Sequence, residues 1–149
     1  MQLFSDEWYR SEWRKLGFHY ERDDDSKQWT VTGSKEGVRS LAAAIRTYAT
    51  DCGNDWLSCH RNLGPHAYLE IGTWSSAIID DHWIAGRLTD LLGLAAYIEE
   101  WIGTSKVGDG LSVRSFFSPE SPYDLWLRVG RDDFDPSSLD TSLVTLLRC

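Results

Sequence analysis

The sequence lacks the features of a secreted or membrane-spanning protein. Its three cysteines cannot complete a disulfide framework, and Cys52 and Cys59 do not have a familiar zinc spacing. The first ten residues, MQLFSDEWYR, lack the basic and apolar regions of a signal peptide. No apolar run reaches the roughly 18 residues that a membrane span requires. We therefore expect free thiols, no membrane partner and a cytoplasmic location.

The chain also has fewer basic than acidic residues. The chain carries 23 acidic and 15 basic residues, which gives a formal net charge of −8. Such a surface would repel phosphates, which argues against binding to nucleic acid or to anionic membranes. The charge suits a basic protein partner, and it equally suits plain solubility.

Motifs of known catalytic sites are missing. The glycines do not have the spacing of a dinucleotide- or phosphate-binding loop, and neither GxSxG nor HExxH occurs. Cys59 and His60 would make a weak nucleophile–base pair, because neighbouring residues seldom reach the required geometry. The sequence therefore predicts no enzyme activity and no cofactor.

The densest polar cluster is Asp80-Asp81-His82, which would lie near Glu70 if their two strands pair. Carboxylates and imidazole together bind divalent metals or share acid–base work. Adjacent residues of a strand point to opposite faces, so we expect Asp80 and His82 to converge and Asp81 to point away. That leaves one ligand too few for a convincing site, and we expect no metal.

Core-forming residues, in contrast, are abundant. Of 149 residues 42% are hydrophobic, and eight are tryptophan, which is enough for one packed domain over residues 1–149. Apolar residues at helical spacing predict three helices: a short one within residues 2–16 that Ser5 caps, one over 35–50, and one that begins at 89 or 90 and that Gly103 ends. Alternating patterns predict strands in GFHYER, QWTVTG, HAYLEIGTW, SAIIDDHWIAG, LSVRSFF and DLWLRVG.

Turn residues suggest how these strands pair. The first two form a hairpin around residues 23–26, and the next two become antiparallel neighbours through a turn at Ser75 and Ser76. Residues 51–65 form the longest loop. The final SLVTLL is either an edge strand or a packed helical turn.

Two parts of the chain resemble each other. Aligning Gly33 with Gly86 matches apolar helix positions such as Leu41 with Leu94. These residue types are common in helices, so chance similarity is the alternative. The order β-α-β-β-α-β predicts a ferredoxin-like, two-layer α+β sandwich. We expect a mainly antiparallel sheet with additional strands and two helices on one face.

The tryptophans exceed the needs of one small core. In the strand HAYLEIGTW, Tyr68, Glu70 and Trp74 share the face opposite Leu69 and Ile71. If the helices cover the Leu69 side, the other three side chains stand on an open sheet face. The alternative is that the N-terminal helix or the tail covers this face and makes the aromatic residues part of the core.

Trp126 follows the same alternation, between Leu125 and Leu127 in DLWLRVG. Tryptophan and tyrosine are enriched at binding hot spots. The sequence therefore predicts a partner-binding surface formed by Tyr68, Glu70, Trp74, Asp80, Asp81 and Trp126. Substitution of Trp74 or Trp126 by Ala should weaken binding and leave the fold intact.

The segments VTGSKEGVRSLAAAIRTYA, LGPHAYLEIGTW and SPYDLWLRV resemble small bacterial immunity proteins of polymorphic toxin systems, of the contact-dependent or type VI effector kind, and related uncharacterised single-domain families. The resemblance covers residues 29–135 and consists of a glycine-led helix, a hairpin and a proline-containing turn, so it carries no catalytic residue across. It implies a cytoplasmic protein that binds and blocks a cognate toxin, commonly with an acidic face.

Three functions are therefore considered. An immunity or inhibitor protein would bind one basic partner in a salt-sensitive way and without turnover. A self-associating interaction module would form a homodimer through its open sheet faces. A small-molecule or metal-dependent enzyme would use either Glu70, Asp80 and His82 or the Cys59–His60 loop, in a deep pocket. The sequence favours the first function over the second, and both over the third.

Overall fold

The computed structural model of the protein describes residues 4–65 and 69–143. The helices are α1 (Asp6–Leu16), α2 (Lys35–Ala49), α3 (Leu88–Thr104) and the single turn α4 (Arg114–Phe117). The strands are β1 (Phe18–Asp23), β2 (Gln28–Gly33), β3 (His60–Leu63), β4 (Leu69–Thr73), β5 (Ile78–Ile79), β6 (Trp83–Gly86), β7 (Gly110–Ser112) and β8 (Asp124–Val129). Two short 3₁₀ turns occupy Cys52–Asn54 and Pro136–Leu139.

The strands form two four-stranded mixed sheets. Sheet A has the order β1-β2-β8-β7, and sheet B has the order β3-β4-β6-β5. The two central pairs, β2 with β8 and β4 with β6, are parallel, and the outer pairs in both sheets are antiparallel. The predicted α+β class is confirmed. The strands are, however, divided between two sheets, because each half of the chain contributes two strands to each sheet.

Both halves of the chain have the same element order. The first half runs β1-β2-α2-β3-β4, and the second runs β5-β6-α3-β7-β8. Gly33 and Gly86, which the sequence alignment matched, each end the strand before the long helix. Even their cross-strand hydrogen bonds correspond, since Gly130 N–H donates to Gly33 O and Trp74 N–H donates to Gly86 O, at 2.7 and 2.9 Å. The predicted internal repeat is thus present as a pseudo-twofold pair of halves.

Local capping chemistry explains where the helices begin. Ser5 Oγ accepts the N–H of Trp8 at the start of α1, and Ser34 Oγ accepts the N–H of Gly37 at the start of α2. Helix α3 begins at Leu88, one or two residues earlier than predicted, because the Asp90 carboxylate accepts the N–H of Arg87, the residue before the helix. Within the described residues, no helix is both long and apolar enough to cross a bilayer.

Helices α2 and α3 pack against each other and against the same side of both sheets, which we call the inner face. Val31 of β2, Ile71 of β4, Ile84 of β6 and Leu127 of β8 point to this side and are 0–1% exposed. Helix α1 joins the same core through Trp13. One continuous apolar core therefore stabilises both sheets at once.

Three predictions about strands are wrong in detail. The segments HAYLEIGTW and SAIIDDHWIAG do not pair as antiparallel neighbours, because β4 pairs in parallel with β6. The second segment is itself a hairpin, since Asp80 Oδ1 accepts the N–H groups of His82 and Trp83 and turns the chain between β5 and β6. In LSVRSFF only the first residues are extended, and the rest forms α4. Most of SLVTLL lies outside the described residues.

Candidate protein-binding surface

The outer face of sheet B carries most of the predicted surface. Leu69 and Ile71 point into the core and are 0% and 1% exposed, while Glu70 between them points outward. Trp74 follows β4 on the same side and is 37% exposed. The alternation predicted for this strand is therefore confirmed for these four residues. Tyr68, which the sequence also assigned to the partner-binding surface, lies outside the described residues.

A row of aromatic rings runs across this face. Trp83 of β6 pairs with Glu70 of β4, and its ring lies 5.7 Å from the ring of Trp74. The imidazole of His82 stacks on the Trp83 ring, with 5.2 Å between the centroids and 17° between the planes. The Trp83 ring lies over Gly72, where any Cβ would overlap it. Trp83 is thereby held in place at 9% exposure, and it supports the more exposed Trp74.

Carboxylates border the aromatic row. Glu70 lies beside Trp83 in the register, and its carboxylate is 4.0 Å from Nε2 of His60. Asp80 and Asp81 occupy the β5–β6 turn, where the Asp81 side chain is 63% exposed. We call Glu70, Trp74, Asp80, Asp81, His82 and Trp83 the aromatic–acidic surface.

Asp80, Asp81 and His82 come closer together than the strand pattern predicted. Nδ1 of His82 lies 3.0 Å from Oδ1 of Asp80 and 3.4 Å from Oδ1 of Asp81. One ligand atom from each residue falls within 4.8 Å of the others. The expectation that Asp81 would point away is therefore wrong, because the three residues form a turn and not a strand. The contacts made by Asp80 belong to that turn, so we assign no metal to the cluster.

Cys59 and His60 do not form a nucleophile–base pair. The Cys59 thiol is buried and donates to Oδ1 of Asn54 at 3.4 Å. The His60 ring is exposed, and its Nδ1 lies 2.9 Å from the carbonyl oxygen of Ser58. The two side chains thus lie in different environments, one inside the core and one at the surface.

The loop before β3 adds exposed apolar side chains beside the aromatic–acidic surface. Trp56 is 60% exposed and Leu57 is 58% exposed. Hydrogen bonds fix this loop to the end of β4: Ser58 N–H donates to Thr73 O, and Thr73 N–H donates to Cys59 O. The sequence predicted one irregular loop over residues 51–65, which is wrong for its last part, because His60–Leu63 form β3 and pair with β4.

A buried polar network supports this loop from the inside. The hydroxyl of Tyr48 donates to Cys59 O at 2.8 Å and lies 2.7 Å from Oγ1 of Thr73. Thr73 in turn donates to Asn54 O at 2.7 Å. Burial, followed by the contact with Cys59, raises the pKa of Tyr48 to about 12. The Tyr48 hydroxyl therefore stays protonated at neutral pH. Its hydrogen bonds join α2 to β4 and to the loop.

Trp126 belongs to a different sheet. It points to the outer face of sheet A, where its ring lies over Gly110 of β7 in the way that Trp83 lies over Gly72. The N-terminal helix and the tail cover one end of this sheet: the Trp13 ring lies 4.7 Å from the ring of His19, and the Pro136–Leu139 turn packs on β1. Trp126 is only partly buried, so the covering segments do not enclose it.

Sequence reasoning did not assign Trp83 and His82 to the binding surface. The alternation in WIAG could have placed Trp83 outside and Ile84 inside. The alternation does not carry through the whole of SAIIDDHWIAG, because residues 80–82 form a turn inside this segment.

Comparisons of the chain with models of protein families, with curated proteins and with solved structures gave no match.

Proposed function

We propose that the protein is an inhibitor of the immunity type, which binds a basic toxin through the aromatic–acidic surface and blocks it. The observation that carries this proposal is the row of aromatic rings bordered by carboxylates on the outer face of sheet B, in which Trp74 and His82 are exposed around the buried Trp83. Tryptophan at the centre of an interface supplies a large apolar contact with little loss of side-chain freedom.

The shape and charge of this surface favour a protein partner. Side chains on the outer face of a sheet form a broad platform, in contrast to the concave pockets that enclose small ligands. Asp80, Asp81 and Glu70 would attract a positively charged surface and speed its association, and the net charge of −8 acts in the same direction.

The assignment to a toxin partner rests on the resemblance to immunity proteins together with the acidic character of the chain. Such inhibitors act by covering a surface of the toxin, and they need no catalytic group of their own. The proposed site of action is the cytoplasm, where a cognate toxin would meet its inhibitor.

The test is capture of the partner by the tagged protein from a lysate of the organism that encodes it. Three forms are compared at low and high salt: the wild type, the double variant Trp74→Ala/Asp81→Lys, and Trp126→Ala as a matched tryptophan control on sheet A. We expect one basic protein on the wild type and on Trp126→Ala at low salt, and its loss with the double variant and at high salt.

The captured protein should be toxic when expressed alone and harmless when co-expressed with the wild type. A captured protein whose toxicity is unaffected would refute the proposal. So would a homodimer, measured by light scattering, that the double variant dissociates, because the surface would then serve self-association.

A further inference from the structure

A cavity lies on the inner side of sheet B, between α2 and the edge strand β3. Its volume is about 210 Å³. The residues that line it are Ala44, Thr47, Tyr48, Arg61, Leu63 and Ile71. Leu63, Ile71 and the ring of Tyr48 are buried and give it an apolar floor. Because β4 separates the cavity from the outer face, it is distinct from the aromatic–acidic surface.

Arg61 is the charged residue of this cavity. Its side chain is exposed, and its guanidinium makes no hydrogen bond or ion pair within the described part of the chain. The Tyr48 hydroxyl is already bound to Cys59 and Thr73. As far as the described residues go, the Arg61 donors are therefore available beside an apolar floor. A guanidinium pairs best with a carboxylate.

The second half of the chain shows how the same region is built without a cavity-lining arginine. The strand registers and the match of Gly33 with Gly86 place Leu111 of β7 at the position of Arg61. Leu111 packs against the apolar core. The charge at this position is thus a property of the first half alone.

Helix positions differ in the same sense. Tyr97 of α3 stands at the position of Ala44 of α2, and Trp101 stands at the position of Tyr48. The Tyr97 ring stacks on Phe116 at 3.9 Å and 2°. At the position where α3 carries the aromatic ring of Tyr97, α2 carries only the methyl group of Ala44, which lines the cavity.

We propose that the α2–β3 cavity binds a small aromatic carboxylate, with the ring between Ala44 and Ile71 and the carboxylate on Arg61. The volume fits such a ligand, since a cavity of roughly 150 Å³ lined by apolar side chains holds benzene in another protein. The remaining space accommodates a short acid arm that reaches the guanidinium at the mouth. This inference does not depend on the proposed inhibitor function.

The test is a titration of phenylacetate into the ¹⁵N-labelled full chain, followed by two-dimensional NMR. We expect saturable shifts of the amides of Ala44, Thr47 and Arg61, and no saturation with benzyl alcohol, which lacks the charge. Arg61→Ala should weaken binding about tenfold through loss of the charge-assisted hydrogen bonds. Arg61→Lys should weaken it less, and Arg128→Ala, at an exposed arginine on sheet A, should not change it.

A filling variant provides an independent arm. Ala44→Tyr places in the first half the side chain that the second half carries, and it should abolish binding. If this variant does not fold, the two Arg61 variants still decide the question. The proposal is overturned if phenylacetate does not saturate by about 10 mM, if benzyl alcohol binds equally well, or if Arg61→Ala binds like the wild type.

Discussion

Arg46 of α2 and Glu99 of α3 occupy equivalent positions in the two halves and form a bidentate ion pair with each other. Their N–O distances are 2.6 and 3.1 Å. The hydrogen bond from Arg46 holds the pKa of Glu99 below its usual range, and that from Glu99 raises the pKa of Arg46. A repeat with the same residue at both positions would bring two like charges together. The halves have thus become different where they meet.

Reversing one charge of this pair should destabilise the protein, and reversing both should restore it. Arg46→Glu and Glu99→Arg each place like charges in contact, so each should lower the midpoint of urea denaturation, more at low salt than at high salt. The double variant should recover most of the loss. Equal midpoints for all four proteins would show that the pair is not coupled.

This pair also has a defined pH dependence. Because the pKa of Glu99 is lowered in the folded state, the ionised carboxylate adds to the free energy of unfolding above the ordinary glutamate pKa. This stabilisation is lost as pH falls through the folded-state pKa.

Tyr123 and Tyr48 should titrate late. The Tyr123 hydroxyl donates to Asp24 at 2.7 Å, and this bond raises the pKa of Tyr123 to about 12. Tyr48 reaches about 12 because it is buried. Both raised values contribute stability below the ordinary tyrosine pKa of about 10, and this is lost as pH rises toward 12.

The measurement is an absorbance titration of phenolate. Tyr123→Phe should remove one late-titrating group. If the phenol that this variant removes titrates near the ordinary tyrosine pKa of about 10, the result contradicts the bond of Tyr123 to Asp24.

Gly72 should not tolerate a side chain. An alanine Cβ at this position would overlap the Trp83 ring and push it from the face of sheet B. We expect Gly72→Ala to lower the free energy of unfolding by about 1–3 kcal/mol, the usual cost of overpacking. Denaturant unfolding measures the loss, and a shift in tryptophan fluorescence reports the displaced ring.

The control is Gly93→Ala in α3, where no atom lies within 4 Å of an added Cβ. Alanine is the better helix former, so this variant should be stabilised by about 0.4–1 kcal/mol. Two glycine-to-alanine changes of opposite sign would support the Trp83–Gly72 contact. A neutral Gly72→Ala would mean that the ring has room to move.

The sequence was most informative about local structure. Serines 5 and 34 marked helix starts, and apolar spacing located α1, α2 and α3. The match of Gly33 with Gly86 revealed the repeat, because the same local signals recur in both halves. The sequence did not reveal which strands pair when they are far apart in the chain. Neither the parallel pairing of β4 with β6 nor the division of the strands between two sheets produces a local sequence pattern.

The candidate surface was predicted in part for the same reason. Alternation within β4 placed Glu70 and Trp74 correctly on the outer side. Alternation in β8 likewise places Trp126 on an outer side, but on sheet A, because β8 pairs with β2 and β7 and not with β4. The orientation of Asp81 was not predictable from the sequence. The segment SAIIDDHWIAG fits one continuous strand as well as it fits the two-residue strand β5 followed by a turn.

Trp74 and Trp83 should differ sharply in their effect on stability. Trp74 is 37% exposed and Trp83 is 9% exposed. Trp83→Ala should therefore cost roughly 3 kcal/mol, as for a packed aromatic residue, whereas Trp74→Ala should leave the thermal midpoint nearly unchanged. If Trp74→Ala unfolds the protein, this tryptophan is part of the core and the binding surface lies elsewhere.

Binding of a basic partner through the aromatic–acidic surface is tested most directly by calorimetry. The affinity of the captured partner is measured at two salt concentrations for the wild type, for Trp74→Ala/Asp81→Lys and for Trp126→Ala. We predict that the double variant binds at least about 100-fold more weakly, as expected when a hot spot is removed. Trp126→Ala should bind like the wild type, and salt should weaken wild-type binding more than that of the double variant. Equal affinities for the wild type and the double variant would contradict the assignment of the aromatic–acidic surface.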